Sequence, residues 1–77
     1  MPRFYFDLLD RDGEQIDEDG VECQDLDQAI LLARQTVSEI AREAFRDTEQ
    51  TELAIRIRDQ EEGPVVLKVT LDTYGRQ

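Results

Sequence analysis

Apolar residues recur along this chain in two different periods. Over residues 3–9 they alternate, with Phe4, Phe6 and Leu8 on one side and Arg3, Tyr5 and Asp7 on the other, the pattern of a half-buried strand. Asp10-Arg11-Asp12-Gly13 supplies a turn, and a weaker extended piece around Ile16 is placed to return as a hairpin partner. Asp19-Gly20 marks the next turn, and residues 21–23 read as a short extended approach. The period then changes. Leu26, Ala29, Ile30, Ala33, Val37, Ile40, Ala41 and Ala44 fall within a stripe of about 120° on a helical wheel. Asp25 is a suitable N-cap, Gln28 completes a capping box, and Asp27 complements the dipole of the first turn. The alanines let such a helix approach a sheet closely. A polar linker at residues 48–51 ends it.

Alternation returns afterwards. Leu53, Ile55 and Ile57 interleave with Ala54, Arg56 and Arg58; Val65, Leu67, Val69 and Leu71 interleave with Val66, Lys68 and Thr70. A Gly- and Pro-containing loop at residues 59–64 makes these two runs a β-hairpin. The predicted architecture is α+β, β(β)αββ, with one long helix across one face of a small antiparallel-rich sheet. The first strand can pair with either member of the second hairpin.

Length changes the picture by limiting it: 77 residues hold one core, so residues 1–77 form a single domain. Cys23 is the only cysteine and there is no histidine, which excludes an internal disulfide and a tetrahedral zinc cage. Stability must come from the patterned core, from self-association, or from both. The lone thiol suits a reducing compartment, and no signal-peptide core or spanning apolar run is present, so a cytoplasmic location without membrane contact is expected. Nineteen acidic residues against nine basic give a net charge of −10, which should repel nucleic acid phosphates and anionic lipid.

Candidate chemistry is sparse. The acidic stretch with Asp10, Asp12, Glu14, Asp17, Glu18 and Asp19 invites a calcium reading, but the spacing fails. With Gly20 as the loop glycine, Gln15 falls first and Leu26 takes the bidentate position; with Gly13, Leu8 falls first. A solvated acidic loop is the plainer reading. Its carboxylates lie in turns and in water, unsuited to general acid–base work. Ser38 has no histidine to activate it, and Cys23, beside Glu22 and Asp25, reads as a structural thiol. No phosphate-cradling Gly-rich loop occurs. No catalytic residue, cofactor site or metal site is expected.

Two surfaces stand out instead. Parity puts Arg3, Tyr5, Arg56, Arg58 and Lys68 on the sheet face away from the helix, the candidate interaction face. Asp7, Glu52 and Asp72 share it, and cross-strand pairing would neutralise much of the positive charge. One exposed aromatic is too few for a base-stacking platform, so no nucleic-acid binding is expected. Leu31 projects about 140° from Leu26, outside the core stripe, with Phe45 near the same flank. These two are the candidate self-association residues of a weak homodimer.

The opening Met1-Pro2-Arg3-Phe4-Tyr5-Phe6, with Asp12-Gly13, Ile16-Asp17, Gly20-Val21-Glu22 and Asp25 followed by Ala29, resembles a family of small alphaproteobacterial proteins plentiful in rhizobia, a domain of unknown function. Asp59 and Gly63 followed by Leu67 and Val69 are similar to its C-terminal hairpin, so the resemblance spans nearly the whole chain. It implies a cytosolic bacterial protein of the fold already described, and supplies no activity. Relatives commonly carry histidine where this chain has Asp7. The function expected is that of a non-enzymatic interaction or regulatory module with a protein partner. The alternatives are an acidic decoy that occupies a DNA-binding protein by imitating nucleic acid, or a weak small-molecule or cation binder.

Overall fold

A computed structural model describes residues 1–60 and 63–76. The middle of the predicted 59–64 loop, residues 61 and 62, lies outside the described residues. The elements follow the order β1 (Arg3–Asp10), β2 (Gly13–Gln15), β3 (Val21–Glu22), α1 (Leu26–Ala44), β4 (Glu52–Arg58) and β5 (Val65–Thr70). The fold is α+β: one helix packs on an antiparallel sheet. The strand order β2-β1-β4-β5 settles which hairpin member adjoins β1, because Tyr5–Leu9 pairs with Ala54–Arg58.

Parity carries the core. Phe6 opposes Ile57, Leu8 opposes Ile55, and Ile55 in turn opposes Leu67, so the apolar sets of three strands share one face. Phe4, Leu53, Ile55 and Ile57 are buried there with Cys23 and the helix residues Ala29, Ala33, Val37 and Ala41. Leu26, Ile30 and Ile40 flank this stripe, half-buried. Three of the stripe's alanines, Ala29, Ala33 and Ala41, are buried against the sheet. Asp25 caps the helix, its carboxylate accepting from the Gln28 N–H at 2.9 Å. The reciprocal half of the capping box is displaced by one residue: the Gln28 side chain accepts from the Gln24 N–H rather than from that of Asp25. No described helix is long and apolar enough to cross a membrane.

The β1 edge is where sequence and structure differ most. Beside the expected hairpin strand, the Val21–Glu22 segment also pairs with β1. The two short strands form one interrupted return. From Gln15, opposite Leu8, to Val21, opposite Phe4, the return takes six steps against four along β1, so residues 16–20 bulge out with two residues to spare. Ile16 sits in this bulge, 47% exposed, and not in a strand.

Candidate functional site

The sheet face away from α1 is built by the odd residues of β1 and the even residues of β4 and β5. Tyr5 opposes Arg58, Asp7 opposes Arg56, and Leu9 opposes Ala54; Ala54 opposes Lys68 and Arg56 opposes Val66. Arg3, Tyr5, Arg56, Arg58 and Lys68 therefore do share one surface. Along the strands, however, it divides into a charged half and an apolar half.

The charged half centres on Asp7, whose side chain is 0% exposed. One carboxylate oxygen, Oδ2, accepts from Arg58 Nε at 2.6 Å and Arg56 Nε at 2.9 Å. The other, Oδ1, accepts from Arg58 Nη2 and from the Asp17 backbone N–H, both at 3.0 Å. A buried carboxylate with four donors meets the condition for burying a charge. The Arg58 guanidinium, helped by the Asp17 N–H and by Arg56, outweighs burial and holds the Asp7 carboxyl well below the usual carboxylate range. Asp7 in return keeps Arg58 more firmly protonated. Arg58 also lies over the Tyr5 ring, 5.0 Å from its centroid, a cation–π contact.

Asp17, which the sequence places in a solvated acidic loop, has a structural role that sequence reasoning missed. The bulge leaves the Phe6 N–H without a strand partner, and Asp17 Oδ2 accepts it at 3.0 Å. Asp17 Oδ1 accepts from the N–H groups of Asp19 and Gly20, an Asx turn that closes the bulge. Burial pushes the Asp17 carboxyl up, but the N–H groups of Gly20, Phe6 and Asp19 together bring it below its ordinary value. The Asp17 carbonyl accepts from Arg58 Nη2 at 3.0 Å, which ties the bulge to the Asp7 cluster. A usable signal existed in Asp17…Gly20, an Asx residue three before a turn glycine. Gly20 has φ +74°, and a Cβ there would lie 2.8 Å from Arg3 Cγ and 2.9 Å from Tyr5 Cε2. Only glycine lets the bulge lie against the face.

The other basic residues of the face pair with carboxylates, whereas Asp72, which parity put on the face, lies exposed beyond the end of β5. Lys68 binds Glu52, Arg56 also binds Glu14, and Arg3 binds Glu22. Asp7 acts from a buried position rather than as a solvent-facing counterion. The apolar half is a shallow depression of about 370 Å³ formed by Leu9, Ala54 and Val66 and rimmed by Asp10, Arg11, Glu52 and Lys68. Val66 is 53% exposed within it.

Leu31 and Phe45 are not brought together. Leu31 is exposed beside Val21, near the start of the helix, whereas Phe45 caps its far end and packs against the core. About 20 Å of helix separates them at 1.5 Å per residue. Cys23 is buried, and burial, reinforced by the Asp25 charge, pushes its thiol pKa up, the opposite of an activated nucleophile. Among the described residues no three Cys, Asp or Glu side chains are grouped to hold a metal ion.

A family model described as Domain of unknown function (DUF6894) matches residues 3–72. The chain belongs to that family. Comparison with curated proteins and with solved structures gives no match.

Proposed function

We propose that this DUF6894 member is a non-enzymatic interaction module of the bacterial cytosol whose contact surface is the open sheet face. The partner is a protein that inserts an apolar side chain between Leu9, Ala54 and Val66 and meets the Lys68–Glu52 and Asp10–Arg11 rim with polar groups. One observation carries this reading: Arg56, Arg58 and Lys68 of the face are paired within the chain, while its apolar half is uncovered. A centre of this kind with a polar rim is the anatomy of a protein interface. The internally paired arginines give phosphate little free charge to meet, and the net charge of −10 opposes nucleic acid approach.

The test uses the full chain as bait in a lysate of its native host, beside an Ala54→Glu variant of unchanged circular dichroism. A protein retained only by the wild type, and then binding it one-to-one when purified, supports the reading. Equal retention by both baits refutes it. A second reading, the acidic decoy, is favoured by the exposed carboxylates of Asp10, Asp12, Glu14, Glu18, Asp19 and Glu22 at the β2/β3 edge. Its signature is a DNA-binding partner that Ala54→Glu still retains and that moderate salt releases.

A further inference from the structure

The two edges of the sheet are unlike. The β2/β3 edge is short, broken by the Asp17 bulge and crowded with carboxylates, all devices that discourage strand addition. The β5 edge is the reverse: six residues in regular antiparallel pairing, three of them valine, and among the described residues paired only with β4. The direction of its backbone groups follows from the pairing. One step past the last β4–β5 pair, Glu52 with Thr70, the Leu71 N–H bonds the Thr51 carbonyl at 2.8 Å. By alternation Val65, Leu67 and Val69 direct their N–H and C=O groups to β4, and Val66, Lys68 and Thr70 direct theirs outward.

We propose that β5 joins the β5 of a second copy of this chain, antiparallel and with Leu67 on the two-fold axis, so that the two sheets become one. The argument for a second copy is self-complementarity. About Leu67 the strand is symmetric on its core side: Val65 meets the Val69 of the other copy, and Leu67 meets Leu67. Side-chain parity keeps both helices on the same side of the joined sheet. The outward groups of Val66 and Lys68 then exchange four backbone hydrogen bonds with those of the other copy, and each Thr70 N–H reaches a Pro64 carbonyl.

Charge selects both the register and the partner edge. Lysine in an edge strand ordinarily guards against pairing. Here Glu52 neutralises Lys68, and the Leu67-centred register sets each Lys68 against Val66 rather than against its own copy. The neighbouring register, centred on position 68, opposes two lysines. Joining at β5 also sends the two acidic edges outward. Seven strand spacings separate them, about 34 Å, several times a Debye length of about 8–10 Å. Between α1 and β5 lies a hollow of about 360 Å³ lined by Arg34, Val37, Ser38, Leu67, Lys68 and Val69. It leaves Leu67 and Val69 half-buried in one copy, and the second copy covers them. A single strand pair is a small interface, so the dimer is concentration-dependent.

The test is sedimentation of the full chain over a dilution series, combined with amide hydrogen exchange. The expected result is a mass approaching twice the monomer at high concentration, with the Val66 and Lys68 amides gaining protection as the dimer forms. Lys68→Pro removes an outward N–H together with the exposed ion pair to Glu52, leaves the β4–β5 ladder intact, and should be a monomer with unchanged circular dichroism, whereas Leu31→Glu should dimerise normally. Leu67→Cys in a Cys23→Ser background should oxidise to a covalent dimer, because directly opposed residues of a non-hydrogen-bonded pair lie within disulfide reach. A monomer mass throughout overturns the proposal. So does a dimer without protection at Val66 and Lys68, a result read on the wild type alone. Neither outcome bears on the sheet-face partner, which Ala54→Glu tests separately.

Discussion

Replacing Asp7 by asparagine keeps the shape of the side chain and removes its charge. The carboxylate is fully buried and accepts four hydrogen bonds, three of them from Arg56 and Arg58. An asparagine amide presents its NH₂ to those same donors and leaves two guanidiniums without their common counterion. Removing one partner from a fully buried pair costs about 3–5 kcal/mol, and from an exposed pair about 0–1 kcal/mol. The arginine side chains are 24% and 36% exposed and recover part of their hydration. The expected loss therefore lies between those limits, at about 2–3 kcal/mol. A domain of this length holds roughly 4–11 kcal/mol in all, so the variant folds but melts about 10–20 °C lower.

Urea unfolding followed by circular dichroism at neutral pH measures this loss. Acid supplies a second axis. A carboxyl depressed in the folded state contributes its full stability above its unfolded pKa, about 3.9, and loses it as pH falls through the folded value. Asp7 is depressed, chiefly by Arg58. The gap between wild type and Asp7→Asn should therefore be constant above about pH 5 and narrow progressively in stronger acid. A variant within about 0.5 kcal/mol of wild type at neutral pH would refute the reasoning.

The fold was legible because its signals are local and agree with one another. Alternation predicts β1, β4 and β5 with their inward sets except Leu71, which lies beyond the end of β5 and is 47% exposed, and the Asp25 cap and Leu26–Ala44 stripe predict α1. The bulge was not legible. It depends on a two-residue mismatch between two separate pairings with β1, a long-range quantity that periodicity does not encode. Asp7 shows the same limit. Its parity was readable, but its complete burial depends on Asp17 and Arg58 arriving from distant segments. Helix angle places Leu31 and Phe45 on one flank but carries no information on the axial distance between them.

Three further outcomes follow from the packing. Val37→Asp should abolish cooperative unfolding, because Val37 is 3% exposed against the sheet and an unpaired charge there has no partner; a normal melt would contradict the assigned core. Gly20→Ala should cost about 1–3 kcal/mol from its positive φ and its contact with Arg3, Tyr5 and the Phe4 carbonyl, measured by urea unfolding. A neutral effect would mean the bulge does not lie on the face. Cys23 should react with a thiol reagent many-fold more slowly in buffer than in denaturant, since it is buried with a raised pKa; equal rates would contradict its placement.

The claim that the open sheet face meets a protein partner is tested most directly by amide chemical shifts of the labelled chain, titrated with the purified partner. Perturbations confined to Leu9, Ala54, Val66 and Lys68, and absent from Ala54→Glu, are the predicted result. Perturbations centred on α1 or on the acidic residues of the β2/β3 edge, with the sheet face unmoved, would contradict it.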